Sequence, residues 1–476
     1  MLKFASFTKC KRLSIHPLII PSIATIAIII SLLPSLNNSG KSYNQSFSFN
    51  IISSIPYLFI EDNSNSKMDY DSPLPYEVKI IAVEPNEKNK NLVIIILEST
   101  STTATSVYNP SLNTTPFLLE LSTKSEVFEN AYTVVPHTSK AIMAILCGVT
   151  PGLYQAIKEA DIIDGIPSSC ISEFLAKQNY QSAFFTSGTA DFENHTGLVR
   201  NMGYQSLFSL ESIQNKEGYE AANYFGLEDD AILPESAKWL DSIHGEKFIA
   251  TYLTLTPHHQ YLAPTRYGRY QFSQSKEVYN RYLNSVHYQD YFIKNLINQY
   301  KEKGLYDDTL FVFVADHGQG FGEHGRNMHD TVIYNEGIKI PLLIHNPSNL
   351  QLTKNISNIS TIDIVPTVLD KMGYNITKDS YEGTIYKERG NTPVYSHCWR
   401  ARACMSMIKG HYKYIHHFDT KPDEMFNFEI DRKEKTNIIA NHRERASSMK
   451  KSLIQWRSLN LDSYNQFNLI KLSKEE

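Results

Sequence analysis

Two apolar runs in this 476-residue chain stop on side chains able to hold a cation: NLVIIIL leads directly into Glu98-Ser99-Thr100, and LFVFVA leads into Asp316-His317-Gly318. Ligands of parallel α/β sheets collect at the carboxyl ends of the strands. Two carboxylates and an imidazole delivered there by separate strands make a site for one divalent metal ion, and a mixed O/N donor set suits zinc or manganese better than calcium. A third run, FIATYLTL, ends at Thr256-Pro257-His258-His259. Each group alone is more often a helix cap or a satisfied turn. Their coincidence at equivalent strand ends carries the metal reading.

A nucleophile is offered by Val134-Val135-Pro136-His137-Thr138-Ser139-Lys140 and the amphipathic run after it. A proline followed by polar residues marks a helix start, so Thr138 or Ser139 is expected at a helix N-terminus, where free N–H groups and the dipole favour a tetrahedral phosphate or sulfate. A threonine hydroxyl is a weak nucleophile at neutral pH, but a cation ligated by Glu98, Asp316 and His317 could convert it to an alkoxide. The plainer reading of either residue is a helix N-cap.

The elements that must position these groups are short apolar runs alternating with amphipathic stretches, which predict an α/β fold with a mostly parallel central sheet flanked by helices. Strands are expected at Leu92–Leu97, Ser182–Thr186, Phe248–Leu255, Leu310–Ala315 and Ile340–His345. The spacing of Tyr279, Tyr282, Leu283, Val286, Ile293, Leu296, Ile297 and Tyr300 predicts a helix over Val278–Lys303, ended by Gly304.

Upstream, Pro17 to Leu36 carries no charge and is long enough to span the ~30 Å hydrocarbon layer. Lys3, Lys9, Lys11 and Arg12 precede it, which places the N-terminus in the cytoplasm and the rest of the chain outside the cell membrane on a single transmembrane helix. A cleaved signal peptide fits the same pattern, and export holds either way. The expected organisation is a stub and anchor over 1–36, an Asn- and Ser-rich tether over 37–90, a catalytic α/β domain over 91–375 and a C-terminal subdomain over 376–476. Lys+Arg 46 against Asp+Glu 50 gives a formal charge of -4, so there is no global basic field for nucleic acid. The five cysteines lack paired CxxC spacing, though Cys398 and Cys404 are near enough to bridge.

Asp316-His317-Gly318, Gly322-Glu323-His324-Gly325, His329, Tyr334, Glu336 and the run Ile340–Ile344 resemble the sulfatase branch of the alkaline phosphatase superfamily. NLVIIILEST, the Asn201-Met202-Gly203-Tyr204 turn, NYFGLEDD and TYLTLTPHHQY resemble lipoteichoic acid synthase-type and phosphoethanolamine transferase-type enzymes more closely. The resemblance implies that Glu98, Thr138, Asp316 and His317 bind one catalytic metal, that Thr138 is the nucleophile, and that His258 and His329 reach the transferred anion. His259 and His324 match less well. Sulfatases mature a cysteine or serine to formylglycine. Counting back ten residues from Gly148 reaches Thr138, which cannot be matured so, with Lys140 and Ile142 in place of the motif's proline and arginine.

Glu193-Asn194-His195 departs from the synthase pattern, in which an arginine stands at the position of His195. The tail from Lys409 to Ile438 resembles the C-terminal sulfatase subdomain, a small antiparallel sheet with a last helix. The implied function is transfer of a phosphoryl-alcohol group from a lipid or glycan donor. Sulfate-ester hydrolysis and a catalytically silent glycan-binding role are the alternatives.

Overall fold

The computed structural model describes residues 90–374, 382–383, 387, 390–399, 404–418 and 420–475, with side chains to 467. Contacts divide the chain into Met1–Asp71 and Ser72–Glu476, and everything described falls in the second unit. The expected span Pro17–Leu36 and most of the expected tether lie outside the described residues. Among the described residues no helix is long and apolar enough to cross a membrane.

Nine strands form the central sheet: β1 (Asn91–Leu97), β2 (Glu126–Tyr132), β3 (Gln181–Thr186), β4 (Ser206–Phe208), β5 (Phe248–Leu253), β6 (Thr309–Ala315), β7 (Lys339–Ile340), β8 (Leu342–His345) and β9 (Thr353–Ser360). Their spatial order is β7-β2-β8-β6-β1-β5-β3-β4, with β9 also pairing with β2. From β6 to β4 every pairing is parallel, whereas β8 runs antiparallel to both β6 and β2. The sheet is therefore mixed but mostly parallel, as expected.

Residues Leu92 to Leu97 are fully buried, the pattern of a strand covered on both faces. The run Ile340–His345 is not one strand. Pro341 has no N–H to donate, and it separates β7 from β8 while its carbonyl accepts from Ala315 N–H at 3.1 Å. Strands β2 and β9 escaped the sequence reading because EVFENAY and TKNISNIS interleave polar and apolar residues without a continuous apolar run, and some of the polar ones, such as Asn355 and Ser360, are buried.

Four helices bear on the site: α1 (Thr138–Cys147), α2 (His195–Asn201), α3 (Glu277–Glu302) and α4 (Arg443–Glu475). Helix α3 lies within a residue of its predicted bounds and fixes the turn after β1. Tyr282 Oη donates to the Ser99 carbonyl at 2.8 Å and accepts from Ser101 N–H at 3.1 Å. Gln289 accepts from Thr100 Oγ1 at 3.0 Å and donates to Thr254 Oγ1 at 2.8 Å. Cys398 and Cys404 form a disulfide; a second, Cys147 to Cys170, ties the end of α1 to the segment before the Ile171–Ala176 helix.

The tail folds into an antiparallel sheet, β10 (Val394–His397), β11 (Cys404–Lys409), β12 (Tyr412–His417) and β13 (Glu424–Asn427), backed by α4. Ala446, Met449 and Leu453 pack on Met405, Met407, Tyr414 and Met425. Asp423 joins the layers: it accepts from Tyr414 Oη (2.5 Å), His416 Nδ1 (2.8 Å) and Lys450 Nζ (3.0 Å). Burial alone would raise its pKa, but these donors outweigh it and hold it at about 2. A depressed carboxyl gives stability that is present above its unfolded pKa near 3.8 and is lost as pH falls through about 2. Asp423→Asn is thus expected to lower the Tm at neutral pH and to flatten the fall in Tm between roughly pH 4 and pH 2, read by a thermal-melt series.

Candidate active site

Strand register puts the first candidate ligands together. Leu97 lies opposite Ala315 and Ile96 opposite Leu253, so Glu98, Asp316 and Thr254 leave three adjoining strands side by side. Glu98 N–H donates to Thr254 Oγ1 at 2.9 Å. Ser99 takes a left-handed φ of 51°, and its N–H reaches Asp316 Oδ1 at 2.9 Å while its hydroxyl donates to Glu98 Oε1 at 2.6 Å. Gly318 is required next to this pair: a Cβ there would lie 2.1 Å from the Glu336 carbonyl oxygen.

Thr138 is the first residue of α1, and His137 occupies the N-cap, so the hydroxyl stands at the end of a ten-residue helix where N–H groups lack intrahelical partners. Its Oγ1 donates to Glu98 Oε2 at 3.2 Å and lies 3.3 Å from His317 Nε2. His317 Nδ1–H donates to the Gly318 carbonyl at 2.9 Å, which fixes the tautomer and leaves the Nε2 lone pair facing the cluster.

The donor set fits a divalent cation. Ligand atoms of Glu98, Asp316 and His317, all buried, lie within 4.8 Å of one another. Asp316 Oδ2 makes no hydrogen bond among the described residues. Burial first, and then the charge of Asp316, push the Glu98 pKa well above the usual carboxylate range. Two carboxylates and an imidazole lone pair converging in this way suit a divalent cation.

His258 and His329 flank this centre. His258 Nδ1 lies 3.4 Å from the His259 carbonyl, and burial lowers its pKa to about 4, so the ring is neutral at physiological pH. His329 stacks on His317 with centroids 4.1 Å apart, and its Nδ1–H donates to Gln319 Oε1 at 2.9 Å. The other two histidines stand apart: His259 is exposed, and His324 is held between Glu336 (2.7 Å) and the Glu434 carbonyl (3.1 Å), stacked on Tyr334.

The sequence reading missed a second group of polar side chains. His137 stacks on Trp399 with centroids 3.6 Å apart, its Nε2 3.3 Å from Glu193 Oε1 and its Nδ1 3.5 Å from Asp330 Oδ1. Burial would lower its pKa, but the two carboxylates outweigh that and raise it. Glu193 also accepts from Ser139 Oγ at 2.5 Å. His195 starts α2 next to Glu193, and burial lowers its pKa. The adjacency of His137 to Thr138 and of Asp330 to His329 was the available signal. Lys140, at the position of the sulfatase proline, is buried and pairs with Glu159 at 2.7 Å.

A family model described as Sulfatase matches residues 90–374, the stretch containing every one of these site residues except Trp399. The chain belongs to the sulfatase family. The family lies in the alkaline phosphatase superfamily, and a crystal structure of a member of that superfamily from Vibrio parahaemolyticus superposes with a TM-score of 0.63 at 19% identity, covering 84% of this chain and 94% of that one. The lipoteichoic acid synthase LtaP from Listeria monocytogenes also superposes with a TM-score of 0.63, at 20% identity, covering 81% and 96% of the two chains. Among curated proteins, the lipoteichoic acid synthase-like YvgJ of Bacillus subtilis (strain 168) is 26% identical over 308 residues, 61% of this chain and 49% of that protein. The chain spans about half the length of the curated relatives it matches.

The carboxylate pair makes a signed prediction for this sulfatase-family centre. In chelator, Asp316→Asn removes a buried like-charge repulsion and raises the Tm above wild type. With excess zinc or manganese the wild type gains stability by binding and the variant gains less. An equal metal-induced rise in both proteins would contradict the assignment.

Proposed function

We propose that the protein is an outward-facing, membrane-anchored, metal-dependent transferase that moves a phosphoryl-alcohol group from a lipid or glycan donor through a phospho-threonine at Thr138. The observation that carries this reading is the threonine hydroxyl itself, at a helix N-terminus and within 3.3 Å of both Glu98 and His317. A threonine cannot supply the formylglycine of sulfate-ester hydrolysis. The likeness to lipoteichoic acid synthase-like proteins points the same way. The anchor is the apolar span Pro17–Leu36.

A divalent cation held by Glu98, Asp316, His317 and Thr138 would lower the pKa of the hydroxyl and offset charge on the phosphoryl group. Thr138 Oγ1 forms a bond to phosphorus as the bond from phosphorus to the donor alcohol breaks. The threonine's proton ends on the departing alcohol, relayed by His258 or His329. The N–H groups at the start of α1 face the non-bridging oxygens. An acceptor alcohol, or water, then attacks phosphorus from the opposite side, its proton returns to Thr138, and the enzyme is regenerated.

An aromatic wall stands beside His258. Phe192 stacks on Phe225 at 4.0 Å, the His258 and Phe225 rings meet nearly perpendicular with centroids 5.0 Å apart, and Tyr224 is 64% exposed. Such a surface suits the alcohol portion of the substrate, by contact with a glycan ring or an acyl chain. Tyr224→Ala is therefore expected to raise KM several-fold with little change in kcat.

Side-by-side turnover of an aryl phosphodiester and an aryl sulfate tests the reading. Turnover of the diester alone is expected, abolished in Thr138→Ala and reduced roughly 10²–10⁴-fold in His258→Gln, the usual range for a lost proton-transfer group. Preferential turnover of the sulfate would favour ester hydrolysis instead. Inactivity on both, with no bound metal, would favour a silent binding role.

A further inference from the structure

We propose that Glu193 is the positioning residue for the nucleophile: its carboxylate holds the residues on either side of Thr138 and keeps the neighbouring Ser139 hydroxyl from competing with it. This rests on the phosphoryl-transfer reading and deepens it. Thr138 and Ser139 place two hydroxyls at consecutive positions at the start of α1. Side chains one residue apart on a helix point about 100° apart, so the two meet different acceptors. Thr138 Oγ1 faces Glu98 Oε2 and His317 Nε2, whereas Ser139 Oγ donates to Glu193 Oε2 at 2.5 Å.

The second oxygen of the same carboxylate, Oε1, lies 3.3 Å from Nε2 of His137, the N-cap residue. Burial alone would raise the Glu193 pKa, but His137 and Ser139 outweigh it and hold it at about 2. Glu193 is therefore an ionised acceptor throughout the physiological range. Residues 137 and 139 are tied to one point, and Thr138 is fixed from both sides. Asp330 and Trp399 also bear on His137. The hold on Ser139 is the one that only Glu193 supplies among the described residues.

The turn that delivers Glu193 is strained and firmly held. Glu193 and Asn194 both take left-handed backbone angles, φ 50° and 52°, which non-glycine residues rarely adopt. Asn194 Oδ1 accepts from Gly197 N–H at 3.0 Å, and its Nδ2 donates to the Ala160 carbonyl at 3.1 Å and to Asp161 Oδ1 at 3.2 Å. Gly197 permits this approach, since a Cβ there would lie 2.2 Å from the Ala160 carbonyl oxygen. Backbone strain persists only where the surroundings over-determine it, and it clusters at active sites. Here it brings one carboxylate to both neighbours of Thr138.

Acid quench of the full-length protein at successive times with an aryl phosphodiester, followed by mass spectrometry of the Thr138 peptide, gives both the rate and the final extent of adduct formation. Glu193→Ala is expected to slow the Thr138 adduct and kcat roughly 10- to 100-fold, the cost of a slightly misplaced nucleophile. Its final extent of adduct stays at the wild-type level, and KM changes less than about two-fold. Glu193→Gln keeps the length and an oxygen that accepts from Ser139, so its rate is expected within about three-fold of wild type. Ser139→Ala leaves Glu193 on His137 and is expected to slow the adduct several-fold, a result that stands even where Glu193→Ala does not fold. A purely structural Glu193 would lower the Tm and the extent of adduct but not its rate, and that outcome overturns the proposal. Wild-type rates in folded Glu193→Ala or in Ser139→Ala overturn it, as does a Glu193→Gln protein as slow as Glu193→Ala. Turnover by wild type without a Thr138 adduct overturns the phosphoryl-transfer reading and this inference with it, whereas a normal wild-type adduct with unaltered variants overturns this inference alone.

Discussion

Two buried carboxylates forced side by side are the constraint on which the rest of this structure depends. The register of β1 against β6 leaves Glu98 and Asp316 no choice but to emerge together. Burial and the neighbouring Asp316 charge both disfavour the ionised form of Glu98. The surroundings answer that repulsion in kind. Ser99 donates to both acids, the His317 N–H donates to Asp316 at 2.7 Å, and Tyr282 and Gln289 of α3 hold the turn from behind. A cation held there would complete the balance, and the Thr138 hydroxyl and the His317 lone pair lie at the same point.

The C-terminal part of the chain finishes the site from outside. His397 N–H donates to the Val134 carbonyl at 2.7 Å and Ser396 Oγ to the Thr133 carbonyl at 2.7 Å, so the antiparallel sheet clamps the segment that leads into Thr138. Trp399 then packs flat on His137. The tail is therefore part of what positions Thr138, and a disulfide joins Cys398, the neighbour of that tryptophan, to Cys404 at the start of β11.

What could be read from sequence follows from locality. Glu98, Asp316 and His317 announced themselves because each closely follows an apolar run, and α3 because its apolar side repeats through about six turns. Thr138 was legible as a helix start, although the structure makes His137 the cap and Thr138 the first helical residue. Strands β2 and β9 were hidden by their mixed polar and apolar composition. The Cys147–Cys170 bridge and the meeting of His137, Glu193 and Asp330 were hidden for another reason: they depend on which distant segments the sheet order brings together, and no local period encodes that. Lys140 is a related case, since its partner Glu159 becomes visible only when the loop after α1 folds back on it.

The most direct test of the account is a rapid acid quench during turnover of a phosphodiester donor, followed by peptide mass spectrometry of the segment containing Thr138 and Ser139. The account predicts a mass increase equal to the donor's phosphoryl-alcohol group, on Thr138 and absent in Thr138→Ala. Steady turnover with no adduct, or with the adduct on Ser139, would contradict it.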